Sequence, residues 1–149
     1  LYGSTIAYLP QDALMINGTL KQNITLSDDN SPETLNAVNH FIQKFQLETL
    51  VADLPEGLDS DIGQSGGRLS AGQRQRLGLA RVAYHRPQLL ILDEATNALD
   101  VETERKIFEQ LESIRNYGAM IVVSHRPSTL KYCDRVFSLQ QGRLSSLTK

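Results

Sequence analysis

The sequence predicts an α/β fold: a mainly parallel sheet with helices against it and a helical subdomain inserted after the first strand. Three observations carry that expectation. Gln88–Leu92 and Ala119–Val123 are short apolar runs without polar alternation, as strands covered on both faces should be, and a helix-period stretch lies between them. The region from Asp12 to about Tyr84 is too helical in texture to be another such unit. The chain has 149 residues, 40% of them hydrophobic, which suffices for one domain with a real core.

The elements follow in order. Thr5–Leu9 reads as a short strand stopped by Pro10, which has no N–H to offer a ladder, so Gln11 sits just past a strand end. Ser31 and Pro32 are the cap and first position of a helix whose Leu35, Val38, Ile42 and Phe45 fall at helical spacing, a core stripe. Gly57–Gly67, rich in Gly, Ser and Asp, reads as a surface loop. Ser70 can cap a helix over about Ala71–Tyr84, on which Arg74, Arg76 and Arg81 alternate with Leu77, Leu79, Ala80 and Ala83, and Pro87 punctuates its end. After the strand that ends in Asp93 and Glu94, Asp100 caps a further helix with Ile107, Leu111 and Ile114 as its buried stripe and Gly118 suited to its carboxyl end. Ser124 and His125 follow Ala119–Val123 at once, and Arg135–Leu139 with the residues after Gly142 read as a small hairpin at the edge. There is no internal repeat and no low-complexity segment.

Charge is nearly balanced, with 15 Lys plus Arg against 17 Asp plus Glu and a net charge of −2, so no basic field advertises a nucleic-acid or membrane-surface partner. The single cysteine, Cys133, excludes an internal disulfide or a cysteine-based zinc site and reads as a small core residue in a reducing, cytoplasmic setting. The longest apolar runs fall far below the roughly 20 residues needed to cross a bilayer, so the chain as given is expected to be soluble. It begins at Leu1 rather than Met and has no basic-then-apolar signal segment, which leads us to expect a piece of a longer polypeptide.

In open α/β sheets ligands bind beyond the carboxyl ends of the strands. Gln11, Asp93 with Glu94, and Ser124 with His125 each follow an expected strand at that end. An amide, two carboxylates and an imidazole delivered to one rim make an active-site constellation, although a lone histidine would read as structural. Two adjacent acids after a buried strand suit a magnesium nucleotide site, the first holding the hydrated metal and the second polarising a water for attack. The bland alternative is a turn exposing two solvated acids, but Ala95 and Thr96 follow rather than turn residues. His125 can hydrogen-bond the same γ-phosphate. Ser70-Ala71-Gly72-Gln73 opens a helix, whose unpaired N–H groups and positive dipole end favour an anion, with small residues letting a phosphate come close.

These residues resemble the nucleotide-binding domains of ABC transporters over essentially the entire chain. Leu69-Ser70-Ala71-Gly72-Gln73, continued by Arg74-Gln75-Arg76, is similar to that family's signature sequence. Leu89-Leu90-Ile91-Leu92-Asp93-Glu94 resembles its Walker B motif, Ala98-Leu99-Asp100 its D-loop, His125 its switch histidine and Gln11 its Q-loop glutamine, in matching order and spacing. Ser60–Gly66 is similar to the X-loop of exporters, and Asn17-Gly18-Thr19 with Asn23-Ile24 to their pattern after the Q-loop, segments that in the family face the coupling helices of the membrane domains. The resemblance implies a P-loop NTPase-like (RecA-like) core in which residues 1–11 are a core strand and Q-loop, 12–86 the helical subdomain with X-loop and signature helix, and 87–149 the sheet core with Walker B, D-loop and H-loop.

It also implies roles. Two domains pair head to tail, each ATP sandwiched between one subunit's phosphate loop and the other's signature helix. Asp93 is then assigned to Mg2+, Glu94 to the general base, His125 to the γ-phosphate, and Gln11 to the metal and attacking water. Ser70, Ala71, Gly72 and Gln73 meet the partner's ATP, and Asp100 passes between the two sites. The implied partners are a second nucleotide-binding domain and transmembrane domains at the cytoplasmic face of the membrane, with no nucleic acid. DNA-working ATPases of the family interrupt the region between Gln11 and Ser70 with coiled coils or zinc modules, for which this chain has neither the length nor the cysteines. A non-catalytic remnant acting as a binding or regulatory partner is the other alternative, against which stand Glu94 and His125.

Five departures qualify the match. Gln64 stands where the X-loop usually carries an acid, Asn97 where the D-loop often has serine, and Ala71 where the signature has its first glycine. A Cβ is harmless at Ala71 if φ is negative, so an αR or β backbone is expected there. None of Lys21, Lys44, Lys106, Lys131 or Lys149 follows a glycine, so the phosphate-cradling G-x-x-x-x-G-K-[ST] run does not occur, and the aromatic that stacks on adenine in the family is also absent. Without the strand and helix of that loop, apolar sheet surface is expected to lie exposed and to favour association or low solubility. The chain alone is expected to give no measurable ATP turnover and weak nucleotide binding; micromolar affinity in isothermal titration would overturn this.

Overall fold

The computed structural model describes residues 5–115 and 118–147. Strand β1 (Ile6–Leu9) is followed by helices α1 (Leu20–Thr25), α2 (Pro32–Lys44), α3 (Glu48–Asp53) and α4 (Ala71–Tyr84). Then come β2 (Leu89–Asp93), α5 (Val101–Arg115), β3 (Ala119–Val123), a short 3-10 helix at Pro127–Tyr132, β4 (Val136–Gln140) and β5 (Arg143–Leu147). β1, β2 and β3 form one parallel sheet in that spatial order, with Leu9 opposite Leu92 and Asp93 opposite Val123. This is the α/β, parallel-sheet architecture that the sequence predicts, with its helical part between β1 and β2.

Local chemistry accounts for the helices. Thr19 and Ser70 each close a reciprocal capping box, with Gln22 and Gln73 returning the bond to the cap N–H, and Ser31 caps α2 ahead of Pro32. Val38, Ile42 and Phe45 bury on α2, while Leu35 is only partly covered and Thr34 and Phe41 join the buried side. α4 lies against β1 so closely that a Cβ on Gly78 would stand 2.8 Å from Leu9 Cδ1 and 2.9 Å from Ala13 Cβ. Ile107 and Leu111 of α5 are buried as expected; the Ile114 side chain lies outside the described residues.

Five expectations need correction. The strands are not covered on both faces: Ala7, Leu9, Leu90 and Leu92 point into the core, whereas Ile6, Tyr8, Ile121 and Val123 are about half exposed on the opposite face. Among the described residues nothing packs on that face to exclude water, in line with the exposed apolar surface expected without the phosphate-loop strand and helix; the apolar run by itself carries no information about which layers are present. Gly57–Gly67 is not a plain surface loop. It forms two short 3-10 turns, and its Ile62 is fully buried because the strand-like bridge Thr19–Asp61 straps it to the start of α1; the Ser65 side chain lies outside the described residues. β4 and β5 pair antiparallel as a hairpin, but as their own two-stranded sheet rather than an edge of the parallel one. Cys133 is partly exposed, its thiol directed at the Thr129 carbonyl at 3.7 Å.

The last correction concerns the reason for Gly118, which stands directly before β3. A Cβ there would fall 2.0 Å from the Gln88 carbonyl oxygen, the same oxygen that accepts the Ala119 N–H at 2.8 Å. The glycine is required by the close approach of backbone that starts the β2–β3 ladder. Gly118→Ala is therefore expected to lower stability by about 1–3 kcal/mol in urea unfolding. Gly142→Ala, at φ 73 with nothing within 4 Å, should cost no more than about 1 kcal/mol.

Candidate functional site

The register of the parallel sheet sends Pro10-Gln11, Asp93-Glu94 and Ser124-His125 out of one edge. Glu94 turns sharply there, with φ 50 in the left-handed region, while its N–H donates to the Val123 carbonyl at 2.9 Å. A non-glycine residue in that region carries a strain of about 1–3 kcal/mol, which the surrounding bonds must hold. The result places its carboxylate between two partners: Oε1 lies 2.9 Å from His125 Nδ1, and Oε2 accepts from Asn97 Nδ2 at 2.7 Å. The imidazole is mostly exposed and the carboxylate mostly covered. Asn97 Oδ1, buried beside them, has no partner among the described residues.

Asp93 is held on its other side. Tyr8 on β1 donates its hydroxyl to Asp93 Oδ2 at 2.9 Å, and Oδ1 has no hydrogen-bond partner among the described residues. The bond to Asp93, reinforced by partial desolvation and by the negative charge, keeps the Tyr8 phenol above its ordinary 10.0.

The expected signature helix starts with Ser70 and Ala71 exposed. Ser70 Oγ accepts the Gln73 N–H at 3.2 Å and Gln73 Oε1 accepts the Ser70 N–H at 2.8 Å. Ala71 takes a helical backbone and is absent from the positive-φ residues, so its Cβ is unstrained, as expected. Gly72 has a packing reason: a Cβ would sit 3.3 Å from the Ala98 carbonyl oxygen. Asp100 caps α5, accepting the Thr103 N–H at 2.9 Å and its hydroxyl at 2.6 Å, and these bonds hold its carboxyl below 3.8.

Gln11 is exposed and joins the rim through its backbone: its carbonyl accepts from Gln75 Nε2 at 3.2 Å, while Gln75 Oε1 accepts the Ala98 N–H at 2.9 Å. One buried amide on α4 thus bridges the segments after β1 and after β2, and Gln11, Ala13, Ala71, Arg74 and Asn97 line a single groove. The structure therefore brings Glu94 and His125 into contact, sets Asp93 beside them, and puts Gln11 and Ala71 on the groove that Asn97 also lines. Tyr8, Gln75 and Asn97 were not legible as site residues. For Asn97 and Gln75 a signal existed in their position within the motifs; for Tyr8 none did, since its role depends on the β1–β2 register.

Among the described residues no group of three or more His, Cys, Asp or Glu gathers as a metal cage. Magnesium does not need one, because one or two carboxylates complete a shell otherwise made of phosphate oxygens and water, and Asp93 with Glu94 fits that donor set. No helix among the described residues is long and apolar enough to cross a membrane.

Residues 1–97 match the ABC transporter family model. An ATP-dependent lipid A-core flippase of Ralstonia nicotianae is 39% identical over 140 residues, which is 93% of this chain and 24% of the flippase. The type I secretion system ATP-binding protein PrsD of Rhizobium meliloti is 40% identical over 146 residues, 97% of this chain and 25% of PrsD. The solved structure of a bacterial Atm1-family ABC exporter with ATP bound superposes with a TM-score of 0.84 at 33% identity, covering 95% of this chain and 24% of that one. The chain thus spans about a quarter of the length of these relatives.

The Tyr8–Asp93 bond has a measurable consequence. A phenol whose folded value is raised contributes stability that is fully present below its unfolded value of 10.0 and is lost as pH rises through the folded one. Asp93→Asn should return the Tyr8 phenol toward 10.0 in an NMR titration of the labelled ring; an unchanged titration would separate the two groups.

Proposed function

The chain belongs to the ABC transporter family, and from that premise we propose that it serves as the ATP-binding and ATP-hydrolysing part of an exporter, coupling hydrolysis at a head-to-tail dimer to transport. The observation that carries the proposal is the Glu94 carboxylate, fixed between His125 and Asn97 at a strand end in strained backbone. A carboxylate so oriented keeps lone pairs on both oxygens for the proton of an attacking water, the work of a general base. With Nδ1–H given to Glu94, the ring meets a phosphate oxygen through Nε2, which donates only when the imidazole is doubly protonated.

Asp93, with Oδ1 open, and Gln11 are the residues that would hold magnesium, which when bound supplies charge neutralisation at the β- and γ-phosphates. Exposed Ser70 and Ala71 with half-buried Gly72 and Gln73 form a helix start suited to the ATP of a second nucleotide-binding domain, and exposed Asp100 would reach across the same contact. The division into residues 1–11, 12–86 and 87–149 follows the same reading. The X-loop and the segment after Gln11 would face transmembrane domains, placing this part at the cytoplasmic face of the membrane. Because the sequence has no G-x-x-x-x-G-K-[ST] run, the proposal includes that this chain alone is inactive and that the phosphate cradle is supplied elsewhere in the working transporter.

In the exporter subunit that carries this sequence, Glu94→Gln should leave ATP affinity unchanged and slow steady-state hydrolysis by roughly 10²–10⁴. Turnover equal to that of the unmodified subunit would remove Glu94 from the role.

A further inference from the structure

Glu104, in the first turn of α5, is an acid 1% exposed. A buried carboxylate is costly unless it is fully bonded, and this one is. Its Oε1 accepts from the Thr96 hydroxyl at 2.8 Å and from Arg126 Nη1 at 3.0 Å; its Oε2 accepts from the Ser128 hydroxyl at 2.7 Å. Arg126 Nη1 also reaches the carbonyls of Thr96 at 3.1 Å and Leu99 at 3.2 Å. All of these partners lie on two segments. One begins two residues after Glu94, and the other begins immediately after His125.

The exposed imidazole of His125 is gripped by little of its own surroundings, so its alignment on Glu94 depends on what fixes the backbone around it. We infer that Glu104 is a positioning residue for hydrolysis: its buried carboxylate clamps the segment after Glu94 to the segment after His125 and thereby holds base and imidazole in line. The inference rests on the proposed ATPase reading. Negative charge at the start of α5 also suits the helix dipole, and a role limited to that would lower stability without distinguishing His125 from any other rim residue.

Glu104→Gln keeps the shape and the acceptor for one hydroxyl while removing the charge that Arg126 meets. In the exporter subunit it should lower kcat for ATP about tenfold with KM changed less than about twofold, and on a His125→Ala background the further loss should shrink to less than about twofold, since no aligned pair is left to misplace. A full tenfold loss on that background makes the effects independent and overturns the inference. If Glu104→Gln does not fold, Ser128→Ala, which removes one donor only, carries the same comparison with an expected loss of about threefold. In the 149-residue chain itself, Glu104→Gln should speed amide hydrogen exchange across residues 124–128 about tenfold relative to α4. Equal protection there overturns the clamp. An unmodified subunit without ATPase activity would instead overturn the functional reading, with the exchange comparison still deciding the clamp.

Discussion

Because β1, β2 and β3 run parallel and in step, whatever follows each strand leaves the sheet at the same edge. That constraint concentrates Gln11, Asp93, Glu94 and His125 within one rim although more than half the chain separates the first from the last. A parallel ladder cannot be closed by tight turns, so long connections are obligatory, and here they carry the rest of the site. The connection between β1 and β2 contains the helix opened by Ser70, and the one between β2 and β3 contains Asn97 and Asp100. The sheet is thus both the scaffold and the reason that three remote segments meet.

The rim would be loose without buried polar side chains behind it. Gln75 spans from the Gln11 carbonyl to the Ala98 N–H, Glu104 spans from Thr96 to Arg126 and Ser128, and Arg81 donates to the carbonyls of Leu14 and Asn23 at 2.6 Å each. Each satisfies loop backbone or hydroxyls that no ladder reaches. An unsatisfied buried group costs about 1–3 kcal/mol, so these side chains define one loop arrangement rather than many. They offset the left-handed backbone at Glu94, whose strain persists only because its neighbours over-determine it.

Much of this was legible in the residues themselves. Capping at Ser31 and Ser70, the Asp100 cap, the strand at Leu89–Leu92 and the negative φ at Ala71 all follow from local chemistry, which acts within a few positions and is written there. The misses share a cause. Arg81 and Glu104 carry full charges, and a pattern reading places charged residues on solvated helix faces; their burial is decided by carbonyls and hydroxyls far away in the chain. Gly118 reads as a helix stop, but the Gln88 carbonyl that requires it belongs to another segment. The half-exposed sheet face is silent in the apolar runs themselves, since such a run says a strand is fit for burial and not that anything covers it, but it was legible in the absence of the phosphate-loop motif.

The division between exposed and buried groups bears on how function is distributed. Residues assigned to nucleotide, metal or the opposite subunit are accessible: Gln11, Ser70, Ala71, Asp100 and His125 are exposed, and Asp93 and Glu94 are partly so. Gln75 and Glu104, which tie the rim segments together behind them, are almost wholly buried. Gln11 and His125 can be replaced with little effect on folding, because water satisfies what remains, whereas Ser70 and Asp100 also cap helices and losing either cap costs about 1 kcal/mol. A buried aligning group cannot be so replaced, because its partners are left in the interior with nothing to bond. Stability and chemistry are therefore carried largely by different side chains of the same loops, and Asn97 stands at the boundary: it lines the groove, one end of its amide holds Glu94, and the other is buried and without a partner among the described residues.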